Sequence, residues 1–175
     1  LPTDGSGAMT SITAANAADD FGARYTPDGK YLLYGRQLRT DMNAENTKLV
    51  RMDRQSGAVI DLCRGFDRSP SGWTTDKSAN TVYFTASHLA KTSVFSVPMS
   101  GGAVSLLLHN GTNSDLKVHD GRIVFLHENI SAPDALYSMK TDGSALRKLT
   151  QFNDDILVGV EMGRTENMWF RGADT

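Results

Sequence analysis

The side chains that most often carry catalytic chemistry are sparse in this chain, and their spacing completes no catalytic motif. No serine has glycine both two residues before and two residues after it, so the Gly-x-Ser-x-Gly nucleophile elbow is absent. A His-Glu-x-x-His pair is also absent, which excludes a metallopeptidase of that type. The histidines fall in predicted turns and at strand ends, where we expect them to be solvated: His88, His109, His119 and His127. The sequence therefore contains no predicted catalytic residue.

One acidic stretch imitates the beginning of a calcium-binding loop. Asp41, Asn43 and Glu45 occupy the first three ligand positions of an EF-hand pattern. The sixth position is Asn46 instead of glycine, and the twelfth is Met52 instead of glutamate. We therefore interpret this stretch as a polar connection between two strands, and the sequence predicts neither a metal site nor a cofactor.

Two further groups of residues are candidates for functional sites in predicted loops. Asp67 and Arg68 form a charged pair in a short loop that ends at Pro70. One interpretation is a turn that only positions the following strand; the other is contact with a substrate or with a neighbouring domain. Asn-x-Ser/Thr sequons make Asn110 and Asn129 possible glycosylation sites.

The composition excludes several functional classes. In 175 residues and 19.0 kDa, 39% of the residues are hydrophobic and 22% are charged, which argues against wholesale disorder. The formal net charge is −2 and no basic run is present, so an electrostatic nucleic-acid binder is not predicted. No apolar run approaches the ~20 residues of a membrane helix. The single Cys63 excludes an internal disulfide and a cysteine-based zinc site.

The predicted strands repeat along the chain. Three segments combine an aromatic or apolar residue, a polar turn and a short apolar run: 25–34, 73–84 and 118–125. Each is followed by a second predicted hairpin, whose first strand begins at residue 49, 94 or 136. The intervals between these three starting positions match the ~40–45 residues of a four-stranded propeller blade. The tetrapeptide Thr3–Ser6 recurs as Thr141–Ser144, which indicates the end of a preceding copy at the N-terminus.

Turn and aromatic residues agree with this repeat. Asp-Gly pairs at 4–5, 28–29, 120–121 and 142–143 predict type I′ hairpin turns, which need positive φ at both central residues. The strand aromatics recur at blade-repeat positions, and we expect them to pack between blades: Tyr25, Trp73, Tyr83, Phe84, Phe95, Phe125 and Tyr137. No apolar pattern of 3.6-residue period is long enough to predict a helix.

The predicted fold is therefore all-β, a partial β-propeller of four-stranded antiparallel, WD40-like blades. Complete blades are placed at residues 14–64, 65–108 and 109–150, and residues 1–13 are assigned to the end of a preceding blade. A propeller closes with ~4–8 blades. We therefore expect the ring to need blades that this sequence does not contain.

Three stretches resemble the prolyl oligopeptidase family of serine peptidases, in particular its dipeptidyl peptidase V and acylaminoacyl-peptidase-like branch. They are Phe66–Pro70 followed by Trp73, Ser131–Tyr137 and Glu161–Asp174. In that family, a segment similar to the last stretch leaves the propeller and begins an α/β-hydrolase domain. The resemblance thus makes residues 161–175 a linker, and Asn167–Phe170 the first strand of a hydrolase domain whose remainder is missing from the sequence.

The resemblance implies a non-catalytic role for this segment in a secreted or periplasmic exopeptidase. In the family, the catalytic Ser, Asp and His lie in the hydrolase domain, so none is carried onto a residue here, and this chain alone should be inactive. The propeller is implied to cover the active site and to admit only short peptides. The expected partners are a C-terminal hydrolase domain of the same chain and peptide substrates. Asp67 and Arg68 would lie on the side of the propeller that faces this domain.

A different class of function also fits the residues. A propeller without an enzyme attached can act as a scaffold that binds protein partners. A nucleophile elbow downstream of Thr175 would favour the peptidase, whereas a stop codon or a further repeat would favour the scaffold. A lectin-like propeller is a third alternative, but the loops lack the sugar-binding aromatic that it would require in each blade.

Overall fold

The computed structural model describes residues 4–42, 44–163 and 165–173, and nearly all of their regular structure is β-strand. The strands form three groups of four, here called blades 1, 2 and 3. Blade 1 consists of β1 Asp20–Tyr25, β2 Tyr31–Arg36, β3 Lys48–Asp53 and β4 Val59–Asp61. Blade 2 consists of β5 Ser71–Thr75, β6 Thr81–His88, β7 Lys91–Pro98 and β8 Ser105–Leu108. Blade 3 consists of β9 Thr112–His119, β10 Arg122–Asn129, β11 Ala132–Lys140 and β12 Arg147–Lys148.

Within each blade the strands form an antiparallel meander, in which each strand pairs with its neighbours along the chain. The third strands begin at Lys48, Lys91 and Ala132, close to the predicted repeat positions. Both faces of β2 are buried: Leu33 lies on one face, and Leu32 and Tyr34 lie on the other. The predicted fold class is confirmed, and the sheets are open rather than closed into a ring.

Blades 2 and 3 are joined by one pair of backbone positions. Thr92 of β7 lies opposite Thr112 of β9 in a parallel arrangement, and the Thr92 N–H donates to the Gly111 carbonyl at 3.2 Å. Strand β7 nevertheless keeps β6 and β8 as antiparallel neighbours, and β9 keeps β10. This single pair connects the eight strands of blades 2 and 3 into one sheet, in the order β12-β11-β10-β9-β7-β6-β5 with β8 beside β7, although each blade keeps its own antiparallel meander.

Apolar side chains fill the space between successive blades. Between blades 1 and 2, the buried cluster includes Leu33, Leu49, Leu62, Trp73, Val82, Phe84, Phe95 and Val97. Between blades 2 and 3, it includes Tyr83, Val94, Leu116, Ile123, Phe125 and Met139, with Tyr137 packed against it. Each large side chain buried in this way contributes about 1.5–3 kcal/mol to the free energy of unfolding. These clusters contain the strand aromatics that the sequence assigned to packing between blades, with one exception.

The exception is Tyr25, which is 64% exposed. It is the last residue of edge strand β1, and the Arg54 guanidinium lies 4.7 Å from the centroid of its ring. An edge position at the tip of a blade has no facing blade to bury it. The expected packing role of Tyr25 is therefore wrong in this structure.

The Asp-Gly turns also differ in part from expectation. The pair at 120–121 has φ angles of 44° and 71°, as a type I′ turn requires. At the other three pairs only the glycine has positive φ, and each aspartate carboxylate accepts a hydrogen bond from the backbone N–H two residues later. The turn at 120–121 has only two residues between its strands, whereas the longer loops leave room for these aspartate-capped turns.

The C-terminal region contains one helical turn, α1 Asp154–Leu157. Residues 165–173 contain no strand, and within Asn167–Phe170 the side chains of Met168, Trp169 and Phe170 are exposed by 83%, 82% and 85%. A strand requires a hydrogen-bonded neighbour. None of the described strands pairs with this segment. The assignment of residues 161–175 to a linker and a following domain stays a prediction.

The N-terminal region contributes no strand before Asp20 in the described part of the chain. Residues 1–3 lie outside the described residues, as do 164, 174 and 175. The assignment of residues 1–13 to a preceding blade therefore stays a prediction. The predicted blade limits of 14–64, 65–108 and 109–150 enclose the strands of blades 1, 2 and 3, respectively.

Candidate functional site on the loop face of the blades

Several connections lie at one end of the blades, because in a meander the second-to-third and fourth-to-first connections leave the sheet at the same end. We call this end the loop face. It comprises residues 37–47, 62–70, 89–90, 109–111 and 130–131. The predicted site residues Asp67 and Arg68 lie in one of these connections.

Asp67 binds to the neighbouring loop of blade 1. Its carboxylate Oδ1 accepts a hydrogen bond from Asn46 Nδ2 at 3.2 Å, and the Asp67 side chain is exposed. Ser69 reinforces this contact, since its hydroxyl accepts a hydrogen bond from the Thr47 N–H at 3.0 Å. These bonds show a structural role for the loop around Asp67; its contact with a substrate or a second domain stays a prediction.

The loop that resembles a calcium site is organised by internal hydrogen bonds. Glu45 Oε2 accepts hydrogen bonds from the Leu38 and Arg39 backbone N–H groups at 2.7 and 2.9 Å. These bonds, first that from Arg39, lower the pKa of the Glu45 carboxyl group. Asn43 lies outside the described residues. Among the described residues, no group of three or more His, Cys, Asp or Glu side chains is arranged to hold a metal ion.

Arg68 lies beside a cluster of rings rather than beside Asn46. Its guanidinium carbon is 5.6 Å from the centroid of Phe66, and the Phe66 ring packs edge-on against Phe95 at 5.1 Å. The His88 ring contacts Phe95 from the other side, with centroids 6.0 Å apart. Burial, followed by the positive charge of Arg68, lowers the pKa of His88. Asp67 and Arg68 therefore have different neighbours although they are adjacent in sequence.

His109 completes this ring cluster and binds a serine. The centroids of His88 and His109 are 4.9 Å apart, and the Ser93 hydroxyl lies 2.8 Å from His109 Nδ1. Serine and histidine are two of the three members of a hydrolytic triad. Ser93, however, is fully buried, and no carboxylate among the described residues orients His109. The pair therefore lacks the accessible nucleophile and the acidic partner that hydrolysis requires.

His127 forms the centre of a buried polar network between blades 2 and 3. Its Nδ1 lies 2.9 Å from Asn113 Oδ1, and Asn113 Nδ2 donates to the carbonyls of Thr92 and Asn110 at 2.6 and 2.9 Å. The His127 ring also packs against Tyr137, with centroids 4.7 Å apart. Burial lowers the pKa of His127. This network fixes the relative position of two connections on the loop face.

A cavity of about 720 Å³ opens between the hairpin and blade connections of blades 2 and 3. Leu89 and Ile130 supply exposed apolar surface, and Lys91 and Glu128 supply opposite charges. The two sequon asparagines, Asn110 and Asn129, and the C-terminal residues Thr165 and Asn167 complete much of its wall.

Sequence reasoning missed the histidines of this face. They were expected to be solvated, which is correct for His119, whose side chain is 87% exposed. His127 is only 4% exposed, and His88 and His109 contact each other. Each of the three lies at or just beyond the loop-face end of a strand. Their similar positions within the blade repeat could have indicated that they share one end of the fold.

Known proteins are similar to this chain in sequence over part of their length. No family model matches the chain. It is 29% identical over 160 residues to dipeptidyl-peptidase 5 of Trichophyton schoenleinii and, separately, to dipeptidyl-peptidase 5 of Arthroderma benhamiae. In both cases the match covers 86% of this chain but only 22% of the curated relative.

Solved structures give the same fold. The acylaminoacyl peptidase of Pyrococcus horikoshii superimposes with a TM-score of 0.68 at 22% identity, over 85% of this chain and 22% of that chain. The β-propeller domain of the Trilobed protease from Pyrococcus furiosus superimposes with a TM-score of 0.59 at 20% identity, over 73% of this chain and 38% of that chain. The chain is therefore similar in sequence to part of dipeptidyl-peptidase 5, and it shares its fold with these solved structures, one of which is a β-propeller domain.

Proposed function

We propose that this chain is the non-catalytic propeller portion of a serine exopeptidase that releases dipeptides or acyl-amino acids. The supporting observation is the match to dipeptidyl-peptidase 5, which includes 86% of this chain but 22% of the relative. The segment itself contains no nucleophile elbow, and Ser93, which lies within hydrogen-bond distance of His109, is buried. The catalytic triad is therefore assigned to polypeptide outside this sequence.

In this proposal the loop face covers the active site of a C-terminal α/β-hydrolase domain. A chain that leaves the propeller after a fourth strand leaves it at the loop-face end, so a following domain would begin on that side. A ring of blades leaves a channel that folded proteins cannot enter, so only short peptides would reach the catalytic serine. Exclusion of water from the covered site would also strengthen electrostatic interactions with the reacting groups.

Asp67 and Arg68 are proposed to contribute to the substrate cavity or to the interface with the hydrolase domain. Arg68 is half-buried and lies beside the ring cluster, so removal of its charge would change the electrostatics of the loop face. In the complete enzyme, Arg68→Ala should change KM or lower Tm. Arg64→Ala is the matched control, because Arg64 is exposed in the same connection. Unchanged KM and Tm in Arg68→Ala would contradict a role for Arg68.

A secreted or periplasmic location forms part of the proposal, and glycosylation at Asn110 and Asn129 would be compatible with secretion in a eukaryote. Both asparagines have exposed side chains. In the described part of the chain, no helix is long and apolar enough to cross a membrane. The location can be tested by fractionation of cells that express the complete gene from its own promoter.

The decisive experiment compares the complete gene product with the 175-residue chain. Both are assayed with a dipeptidyl 4-nitroanilide and an acetyl-amino-acid 4-nitroanilide. We expect hydrolysis by the complete product, and none by the 175-residue chain, because it has no activated nucleophile. A complete product without an elbow serine and without hydrolysis would favour the scaffold, and turnover by the 175-residue chain would contradict the assignment of catalysis.

A further inference from the structure

The outer face of blade 3, which is the face directed away from blade 2, carries two arginines that converge on one serine. Arg122 Nη2 donates to Ser138 Oγ at 2.8 Å, and Arg147 Nε donates to the same oxygen at 3.0 Å. Arg122 Nη2 also lies 3.2 Å from the Ala145 carbonyl. The Ser138 side chain is buried beneath these guanidinium groups and is only 1% exposed.

This cluster contains more hydrogen-bond donors than acceptors. The Ser138 oxygen already accepts two N–H groups, and its own hydroxyl proton has no acceptor among the described residues. Arg122 Nε is buried without a hydrogen-bond partner. The ion pairs of the described residues are Arg36–Asp20, His119–Asp120 and Lys148–Asp154, so neither arginine of the cluster is paired with a carboxylate there.

The neighbouring positions extend the positive surface. Lys117, Val124, Ser138 and Arg147 lie in one row across the blade, because each is the direct cross-strand partner of the next. Lys140 is the cross-strand partner of Arg122 on the same face. Both lysines are exposed. The surface around Ser138 therefore presents four cations on a rigid sheet.

The geometry points to an anion-binding site formed by Arg122, Arg147 and Ser138, and we propose that its ligand is a carboxylate. Each guanidinium group is a planar set of donors that suits bidentate binding of a carboxylate, and the contact with one hydroxyl holds the two groups side by side. Two apolar neighbours, the half-buried Val124 and the 39% exposed Leu136, would contact the carbon atoms that carry the carboxylate. The proposal does not depend on peptidase activity, because the cluster lies on a blade face and not on the loop face.

The carboxylate could come from an aspartate or glutamate of protein packed on this face, or from a small free acid. In either case, the same N–H groups would bind the same oxygen atoms. The two sources differ in whether the site is already filled when the complete gene product has folded. The two sources can therefore be distinguished by measuring the same arginine signals in the 175-residue chain and in the complete gene product.

The experiment uses ¹⁵N-labelled chain of 175 residues and the Nε–Hε NMR signals of its arginines, with acetate as the probe and chloride at equal ionic strength as the control. We expect acetate to shift the Arg122 and Arg147 signals saturably and to leave the Arg54 signal unchanged. Arg54 is a suitable reference because it is an exposed arginine of blade 1 that binds the Gly29 carbonyl. In Arg122→Gln/Arg147→Gln, the affinity for acetate should fall at least tenfold.

Arg147→Lys keeps the charge and removes the planar group, so an intermediate affinity would support a directional site rather than general attraction. Backbone amide spectra confirm that each variant remains folded. In the complete gene product, Arg122 and Arg147 signals that no longer respond to acetate indicate a carboxylate supplied by the protein, and responsive signals indicate a free acid. Unsaturable shifts that are equal for Arg54, or unchanged acetate affinity in the double variant, would overturn the proposal even if the complete product hydrolyses dipeptidyl substrates.

Discussion

The imidazole of His127 in blade 3 is bound to the side-chain amide of Asn113, with 2.9 Å between Nδ1 and Oδ1. The same amide donates to the Thr92 carbonyl of blade 2 at 2.6 Å. A titratable ring is thus connected through one side chain to the neighbouring blade. Because the network is buried, the protonation state of His127 should affect how firmly blades 2 and 3 are held together.

His127 makes stability depend on pH. Burial lowers its pKa below the ordinary value of 6.5, and the nearby charges of Asp134 and Glu128 oppose this change only in part. As the pH falls through about 6.5, the unfolded chain therefore gains a proton before the folded chain does. The stabilising contribution is complete above this pH and is lost as the pH approaches the lower folded pKa. Urea unfolding at pH 7, 6 and 5 should show this decrease.

The matched variants for this prediction are His127→Gln and His119→Gln. His127→Gln should reduce the pH dependence of the free energy of unfolding, whereas His119→Gln should leave it unchanged, because the His119 side chain is 87% exposed. His88, whose pKa is also lowered, should retain a contribution of the same sign. Equal slopes in the unaltered chain and in His127→Gln would refute the assignment.

Asn113 should be more important for stability than an exposed asparagine. Asn113→Ala would remove the part-buried hydrogen bonds to the Thr92 and Asn110 carbonyls and the buried contact with the His127 ring. A buried polar group without a partner costs about 1–3 kcal/mol, so we expect a loss of at least this size in urea unfolding. Asn80→Ala, at an exposed position, serves as the control. A loss no larger than that of the control would show that water replaces the amide.

The blades were predictable from sequence because their strands depend on local patterns. Residues 31–36 and 81–88 are short runs rich in apolar residues and bounded by turns, and the resulting strands bury most of their side chains. Tyr25 was assigned incorrectly because its burial depends on whether a blade faces it, and a repeat pattern does not contain that information. The strand expected at 167–170 stays a prediction, because strand formation depends on a partner strand.

The loop face was less predictable, because it consists of contacts between residues distant in sequence. His88 and His109 are ordinary turn-adjacent histidines in the sequence, and only the pairing of β7 with both β6 and β8 brings their rings together. The burial of His127 likewise depends on Asn113 of the preceding strand. Adjacent residues can also separate, as Asp67 and Arg68 do, so the charged pair expected from sequence is not one structural unit.

Cys63 should be unreactive while the chain is folded. It is 5% exposed, and burial, followed by the negative charge of Asp61, raises the pKa of its thiol to about 12. Because the thiolate is the reactive form, modification by a thiol reagent at pH 8 should be about a hundredfold or more slower than in a denaturant. The denatured chain is the internal control for reagent activity. Equally rapid modification in the two states would show that this region opens readily.

Gly35 should not tolerate a side chain. A Cβ at this position would lie 2.8 Å from Phe21 Cε2 and 2.9 Å from Trp73 Cη2, where blades 1 and 2 meet. Overpacking of this kind costs about 1–3 kcal/mol, so Gly35→Ala should lower the midpoint of urea unfolding. Gly163→Ala provides the control, because nothing lies within 4 Å of the Cβ it would add. Equal midpoints for the two variants would mean that the rings move aside without cost.

The C-terminal segment should make the 175-residue chain associate in solution. Met168, Trp169 and Phe170 are consecutive and more than four-fifths exposed, and contiguous apolar surface of this kind promotes contact between molecules. Sedimentation velocity at increasing protein concentration should therefore reveal oligomers or aggregates. Simultaneous replacement of the three residues by serine should reduce this association. Phe152→Ser is the control, because Phe152 is an isolated apolar residue with 86% exposure. If the triple variant associates as strongly as this control, the open faces of the blades, and not this segment, would be responsible.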